Sequence, residues 1–592
     1  MLSRQTVTRS AAAGMRGAVA AARRRSAEAA AELLAAGGNA VDAGVAAALV
    51  AGVVEPMETS LGGSGFMLVG IPGEGSVHSI EFGPRAPLAA RADMFRIDAG
   101  RHVERGLGIS IVVGDANVQG ISAIGVPATL RGLLLAHQRF GKLPRARVMQ
   151  AAVAAAYDGF PADSYFALEA LANLSALRAD PGARSMFLVD GLPPVPPHLG
   201  TASLGVPLLI RQPALGRTLE LIAERGAEPL YEGELARSLL STVGELGGLL
   251  SQQDLSACVP VVTRARSIRF RDVEVWAPTA PSGAVTQLQM LQIWQALHAD
   301  RPPLEDTPRR IRDLAAASWH AFADRYHWLG DPDFVPVPDE ALLSAGYAAD
   351  IAAAIRAGHP PPRSSASDAA PWNHFASRAV HDPWPHQPGR PPRPPVWNPG
   401  GATEPTAGTT QVSVIDAGGM AVSITHTAAN HFGAKVVCPR TGLLLDAAMG
   451  WFNALPDAAN SIAGGKRPLA NMGPMLVTRG GHPVAAIGAP GGRRIINAMV
   501  QIVLNLVERG MGAGDAVHAP RIDASGAGLL ASERLAAVVE DIAELRGSTA
   551  LVSEQHEGFG YELARPVIAV RDGDGVTSAA VDPFSRGYAV AD

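Results

Sequence analysis

The sequence predicts an α/β protein whose sheets are covered by helices on both sides. Two observations carry this: candidate strands that are apolar on both faces, and long segments between them with apolar residues at helical spacing. Composition agrees. The 592 residues are 47% apolar, 18% charged and 5% aromatic, which excludes a disordered or collagen-like chain. Length alone would allow three or four domains at about 150 residues each, but large α/β units fold as one body.

Glu28 to Leu34 reads as a helix closed by Gly37-Gly38. A second helix starts near Asn39, is apolar nearly all round and therefore buried, and ends near Glu55-Pro56, where proline disfavours helix in the residue before it. Ser60 to Gly65 is a glycine-rich turn into a strand, Phe66 to Gly70, with a partner strand from Val77 to Phe82. Helices are predicted over Ala128 to Phe140, Arg145 to Tyr157, Thr218 to Arg225, Glu234 to Leu246, Ala284 to Leu297 and Thr307 to Trp328. His359 to Ala407 is proline-rich and poor in aliphatic residues, so 358–408 is expected to be a mobile connector. Beyond it, Thr409 to Asp416 and Met420 to Thr427 flank Ala417-Gly418-Gly419, a hairpin signature. Leu443 to Leu445, Met475 to Thr478 and Pro483 to Ile487 read as strands. Ile495 to Glu508 and Glu533 to Leu545 read as helices, and Asp572 to Gly575 as a hairpin turn. No internal repeat is evident.

Charge and cysteine content narrow the function classes. Lys+Arg is 50 against Asp+Glu 55 with no long block of one sign, so no nucleic-acid or membrane surface is expected. Only Lys142, Lys435 and Lys466 are lysines, an Arg excess that reads as codon bias. Two cysteines, Cys258 and Cys438, exclude a disulfide framework and a Cys-based zinc site. The most apolar N-terminal run, Ala40 to Val54, contains Asp42 and is shorter than the roughly 20 residues a bilayer needs. Arginines interrupt every apolar stretch of the first forty residues, so a cytoplasmic single-chain precursor is expected.

Three features carry chemistry. Gly408-Thr409-Thr410 lies where the proline-rich connector meets a strand. Gly488-Ala489-Pro490-Gly491-Gly492 leads straight into a helix from Arg493, where outward backbone N–H groups suit an anion, including the oxyanion of acyl transfer. Gly37 to Ala43 opens the early buried helix through a tight glycine entry. Together with Val54-Glu55-Pro56, Gly62 to Phe66, Gly125-Val126-Pro127, Gly141 to Pro144, Tyr231-Glu232-Gly233, Ala323 to Tyr326, Leu329 to Phe334 and Gly465 to Leu469, these residues resemble the gamma-glutamyltranspeptidase family of N-terminal-nucleophile hydrolases. The resemblance runs over nearly the whole chain and in the right order.

The resemblance implies a four-layer αββα sandwich built jointly by two subunits cut from one precursor. It places the scissile bond between Gly408 and Thr409, giving a large subunit 1–408 and a small catalytic subunit 409–592. In that scheme the Thr409 hydroxyl attacks the Gly408 carbonyl, the acyl group shifts from nitrogen to oxygen, and water hydrolyses the ester. The freed α-amine, with a reference pKa near 8, then serves as base for its own hydroxyl. Thr427 matches the threonine that orients the nucleophile, and Gly491 and Gly492 match the oxyanion glycines. Thr410 follows the nucleophile as in many members, whereas Gln411 stands where most have histidine. No metal or organic cofactor is implied. The substrate is expected to be a small amide or peptide-like molecule, with hydrolysis and transfer both open.

Departures from the family pattern bear on substrate. Gly83 takes the position of the arginine that binds the substrate α-carboxylate. Ala429, Ala448 and Trp451 replace the asparagine, the Glu/Gln and the aspartate around the α-amine, and Ala470-Asn471 replaces a serine pair. A zwitterionic head group in a partly desolvated pocket needs charge-assisted partners, so an acyl group other than ordinary γ-glutamyl is expected. Arg85, two residues from Gly83, would face the same side if the strand continued that far, although Pro84 and Pro87 disturb it. Trp451 reads equally as core or as pocket lining. True γ-glutamyl hydrolysis or transfer is the alternative within the enzyme class, and an inactive binding relic is the alternative outside it. Gly62 to Gly65 lacks the Lys-Ser/Thr of a phosphate loop and reads as a packing turn. His426, His431 and His482 read as core or surface polar residues.

Overall fold

The structure is a computed structural model that describes residues 7–102, 110–194, 208–300, 302–358, 382–389, 408–456, 458–526, 528–543, 549–553 and 563–592. Two seven-stranded sheets lie face to face at its centre. The first has the spatial order Tyr588–Ala591, Gly17–Ala21, Thr410–Asp416, Ala421–Thr427, Ser64–Gly70, Val77–Phe82, Val261–Arg264. The second runs Ala12–Gly14, Thr577–Val581, Val567–Arg571, His482–Gly488, Met475–Arg479, Val273–Ala277, Arg266–Phe270. Every neighbouring pair in both sheets is antiparallel.

The layer between the sheets mixes alanines with larger apolar side chains, Trp276 among them. Ala18, Ala20, Leu68, Ile415 and Ala421 of the first sheet meet Leu476, Ala486, Val567, Ala569 and Ala579 of the second. Two hydroxyls cross it: Ser413 Oγ donates to the Val567 carbonyl and Ser423 Oγ to the Ile487 carbonyl, each at 2.9 Å. On the outer face of the first sheet, Val412, Val414, Val422 and Ile424 pack with the helix Ala40–Val54, all of whose residues are buried. On the outer face of the second, Val275, Met475, Val477 and Ile487 pack with helices Ala284–Leu297 and Arg494–Val507. These are the four layers αββα expected.

Local chemistry explains the elements nearest the site. Asn39 caps the buried helix by accepting from Val41 N and Asp42 N, and Asp42 returns a bond to the Asn39 N–H. Asp42 also accepts from Lys142 N and Leu143 N, so two of the sequence motifs meet in one buried anchor. The Ser60–Gly65 turn is indeed a packing turn. A Cβ on Gly63 would sit 2.0 Å from the Thr427 carbonyl oxygen, and one on Gly62 2.5 Å from that of Leu444, so only glycine lets this turn lie under the end of the Ala421–Thr427 strand.

Some expectations change. Leu443 to Leu445 is not a ladder strand: Leu444 bridges Val437 and Leu445 bridges Gly62 singly, two residues bonding two different segments. The helix expected over Glu533 to Leu545 is a 3-10 turn, Glu533–Leu535, and a short helix, Ala536–Glu540. Val538 and Val539 are stiff at χ1, and Glu540 and Asp541 put negative charge at a helix C-terminus. Between its ends, Gly358 and Gly408, the connector lies outside the described residues except for 382–389. That octapeptide is docked, with the Trp384 ring edge-on to Trp328 at 6.3 Å and His386 Nε2 2.8 Å from Asp350 Oδ2. Among the described residues, no helix is long and apolar enough to cross a membrane.

Candidate active site

Thr409 stands at the mouth of the Thr410–Asp416 strand, and the pairing of Thr410 with His426 puts it beside Thr427, the last residue of the next strand. Three hydroxyl contacts define the Gly408–Thr409 bond. Thr409 Oγ1 donates to the Gly408 carbonyl at 2.7 Å, Thr427 Oγ1 hydrogen-bonds to the same oxygen, and the two hydroxyls are 3.4 Å apart. Ala429 N donates to Thr427 Oγ1 at 2.8 Å and fixes that hydroxyl. Gly408 is seated tightly, since a Cβ there would lie 2.6 Å from the Met57 carbonyl oxygen. Thr409 itself is 2% exposed. A carbonyl held by hydroxyls, with one of them on the adjoining residue, is arranged for intramolecular attack.

The cavity at Thr409 is lined by Arg23, Glu55, Glu58, Tyr165, Pro490 and Arg565, among others. Glu58, Tyr165 and Arg565 lie outside every motif of the sequence. Glu58 Oε2 accepts the Thr409 N–H at 2.9 Å. Its Oε1 accepts from the Tyr165 hydroxyl and, at 2.8 Å, from the Arg565 guanidinium. Burial raises the Glu58 carboxyl, but the Arg565 charge, with His431 and the hydrogen bonds, outweighs it and holds the group below the usual range. Glu55, at the end of the buried helix, is pushed up to about 8 by burial despite the nearby charge of Arg23. Asp163 takes both Arg23, at 2.6 Å, and Arg586, at 3.0 Å.

The glycine loop from Gly488 adjoins this cavity through Pro490. Gly491 has φ +144° and Gly492 φ +60°, both in the region that favours glycine. A Cβ at Gly491 would meet Ala564 Cβ at 2.6 Å. Gly488 faces Gln411, whose amide oxygen would be 2.1 Å from a Cβ there. Gln411 Nε2 donates to Ser413 and Ser423 and its Oε1 accepts from Thr425 at 2.5 Å, so it joins the hydroxyl network between the sheets.

The substrate candidates fall in several places. The strand Val77–Phe82 ends before Gly83, so the alternating-face argument for Arg85 does not apply. Gly83 and Arg85 nonetheless line one cavity, with Phe66, Phe82, Cys258 and Arg467, and this is distinct from the Thr409 cavity. Arg85 Nη1 donates to the Gly465 carbonyl at 2.7 Å. Ala429 is fully buried with φ +68°, a conformation asparagine adopts more readily than alanine. Ala448 is fully buried, against Gly125. Trp451 belongs to the main core at 6% exposure. The Ala470 carbonyl and Asn471 Oδ1 both accept from Arg325, each at 2.8 Å. Arg467 pairs with Asp331 at 2.6 Å, so the motifs around Arg325, Asp331 and Arg467 tie a loop to a helix.

A threonine at the start of a central strand, its hydroxyl on the preceding carbonyl, in a double sheet between helical layers, defines the N-terminal-nucleophile class of hydrolase. Comparison with known proteins narrows this. The model of the Gamma-glutamyltranspeptidase family matches residues 26–591, and the chain belongs to that family. It is 32% identical over 503 residues to the glutathione hydrolase proenzyme of Pseudomonas sp. (strain A14), covering 82% of this chain and 77% of the relative. To the Acylase ACY 1 proenzyme of Pseudomonas sp. (strain V22) it is 32% identical over 554 residues, 93% of this chain and 89% of the relative. The crystal structure of a cephalosporin acylase from Bacillus halodurans superposes with a TM-score of 0.79 over 100% of this chain and 99% of that one; at 22% identity this shows the fold. The protein is thus an autoprocessed threonine amidohydrolase or acyltransferase, made as one precursor that yields two subunits.

Proposed function

We propose that the protein works through an acyl ester on Thr409, freed by cleavage after Gly408, and that its acyl group is other than ordinary γ-glutamyl. Thr427 orients the nucleophile and Gly491 and Gly492 supply the oxyanion donors. The observation that carries the acyl preference is the apolar character of the family's amine cage: Ala429 and Ala448 are fully buried methyl groups and Trp451 is 6% exposed. Similarity to an acylase proenzyme over 93% of the chain supports the same reading. The guanidinium groups of Arg23, Arg565 and Arg586 at the Thr409 cavity are engaged by Asp163 and Glu58. Arg85, the sequence-based candidate for an acyl-chain carboxylate, lines a cavity separate from the one at Thr409.

Processing is checked on a denaturing gel. Two pieces of about 42 and 19 kDa are expected, the shares of 61.3 kDa that fall to 408 and 184 of the 592 residues. A small piece that begins anywhere but Thr409 would sink the assignment. Specificity is checked with γ-glutamyl, glutaryl, oxalyl and simple acyl amides side by side. Each missing charge-assisted bond removes about 1.5–3 kcal/mol, so two of them lower kcat/KM for γ-glutamyl donors by roughly 10²–10⁴ relative to the better acyl donors. The second reading, γ-glutamyl hydrolysis or transfer, is favoured by 32% identity to a glutathione hydrolase proenzyme. Glutathione turnover as fast as that of the best acyl amide would establish it.

A further inference from the structure

Glu58 accepts the Thr409 N–H at 2.9 Å, and neither the family motifs nor the acyl-ester scheme gives it work. It is 3% exposed. A carboxylate so buried is stable only with charged and hydrogen-bonded partners. Its partners come from far along the chain: Tyr165 and Arg565 on Oε1, and the Thr409 N–H on Oε2. Arg565 keeps part of its surface, 24%, towards solvent, while the Glu58 side chain keeps 4%.

We propose that Glu58 is a positioning residue for the nucleophile, holding the Thr409 nitrogen as an amide before cleavage and as the α-amine afterwards, with Arg565 and Tyr165 fixing the carboxylate. This rests on Thr409 being the nucleophile. In the acyl shift the bond from Thr409 Oγ1 to the Gly408 carbon forms, the carbon–nitrogen bond breaks, and the hydroxyl proton ends on nitrogen. A carboxylate at that nitrogen stabilises the positive charge that collects there. Water then hydrolyses the ester. In each later turnover the free amine takes the Oγ1 proton as acylation begins and passes it to the leaving amine. Glu58 aims the nitrogen and raises its proton affinity, and Arg565 offsets part of that effect.

The other titratable groups facing this spot are Glu55, Arg23, Asp163, Arg586, His431 and Glu169. Asp163 pairs with both Arg23 and Arg586. His431 Nδ1 is 2.8 Å from the Met57 carbonyl, and its Nε2 is 3.8 Å from Glu169 Oε2. Glu55 hydrogen-bonds Thr410 Oγ1 at 3.3 Å. Among the described residues, Glu58 is the acid in contact with the nitrogen.

The test is the pH profile of kcat/KM for processed variants, after sequencing the small subunit's N-terminus. A start other than Thr409 would overturn the nucleophile assignment and the proposal with it. A start at Thr409 leaves Glu58 alone under test. Glu58→Gln is expected to move the acid limb down by about one pH unit or more, because a neighbouring negative charge no longer favours the ammonium form. Glu58→Asp should keep the limb near its wild-type position, with slower maturation. Arg565→Gln should move it up. A Glu58→Gln profile that falls in height with its acid limb unmoved would overturn the proposal, since a purely structural role does that. Should Glu58→Gln fold by circular dichroism yet stay uncut, maturation becomes the readout: recovery in Glu58→Asp supports the role of charge, and loss in both overturns it.

Discussion

Replacing Thr409 by alanine is expected to leave one uncut chain of 61.3 kDa with no turnover above background. The same hydroxyl serves both events. In the precursor it lies 2.7 Å from the Gly408 oxygen, and in the mature enzyme it carries the acyl group. Neither Thr427 nor Thr410 can substitute. Thr427 lies on the next strand and holds the Gly408 oxygen from outside the scissile peptide, while the Thr410 hydroxyl faces Glu55. Thr409→Ser keeps the hydroxyl and should retain some of both activities. Mass spectrometry of the purified chains and an activity assay check the pair. An alanine variant that matures normally would move the nucleophile elsewhere.

Gly491→Ala should lower turnover by roughly 10²–10³, the effect of losing one oxyanion donor, while costing stability only about 1–3 kcal/mol of backbone strain. The two effects share one cause. With φ at +144°, an added methyl would come within 2.6 Å of Ala564 Cβ and 2.7 Å of its Cα. Either the glycine loop or the 564–565 backbone must shift, and Arg565 rides on the latter. Steady-state kinetics beside a thermal melt separate the two. A melt that collapses along with activity would show Gly491 to be a folding residue.

The hairpin after Thr409 was legible because turn chemistry and composition agree: Gly419 takes φ +86° between two strands rich in β-branched residues. The buried helix was legible because it is apolar nearly all round, and its expected start near Asn39 is where Asn39 caps it. Gly17–Ala21 was not. Gly-Ala-Val-Ala-Ala has little strand propensity beyond its one valine, and it becomes a strand because Thr410–Asp416 and Tyr588–Ala591 bond it from either side. The edge strands Val261–Arg264 and Arg266–Phe270 are short and partly exposed, and charged residues interrupt their apolar pattern. At the site, Thr409, Thr427 and the glycine loop follow from motifs. The Glu58–Tyr165–Arg565 cluster does not, because its members are 107 and 507 residues apart in sequence and meet only when both sheets are complete. A single glutamate in the short turn before Ser60 carries no pattern that could have singled it out.

The strand order has a consequence for the life of the molecule. With the proposed cut before Thr409, Gly17–Ala21 belongs to one polypeptide yet sits between two strands of the other, and the second sheet is flanked at both ends by strands of the first polypeptide. The two products are therefore woven together and stay joined without a covalent link. The weave was achieved when every segment was tethered to every other, at the high effective concentration a single chain provides. Cutting discards that tether. A mature molecule that loses its shape must find a partner by diffusion and then rethread a pattern laid down by one chain, so its endurance rests on the slowness of unfolding. Maturation thus makes folding a one-time event, and the catalyst is an heirloom of its precursor.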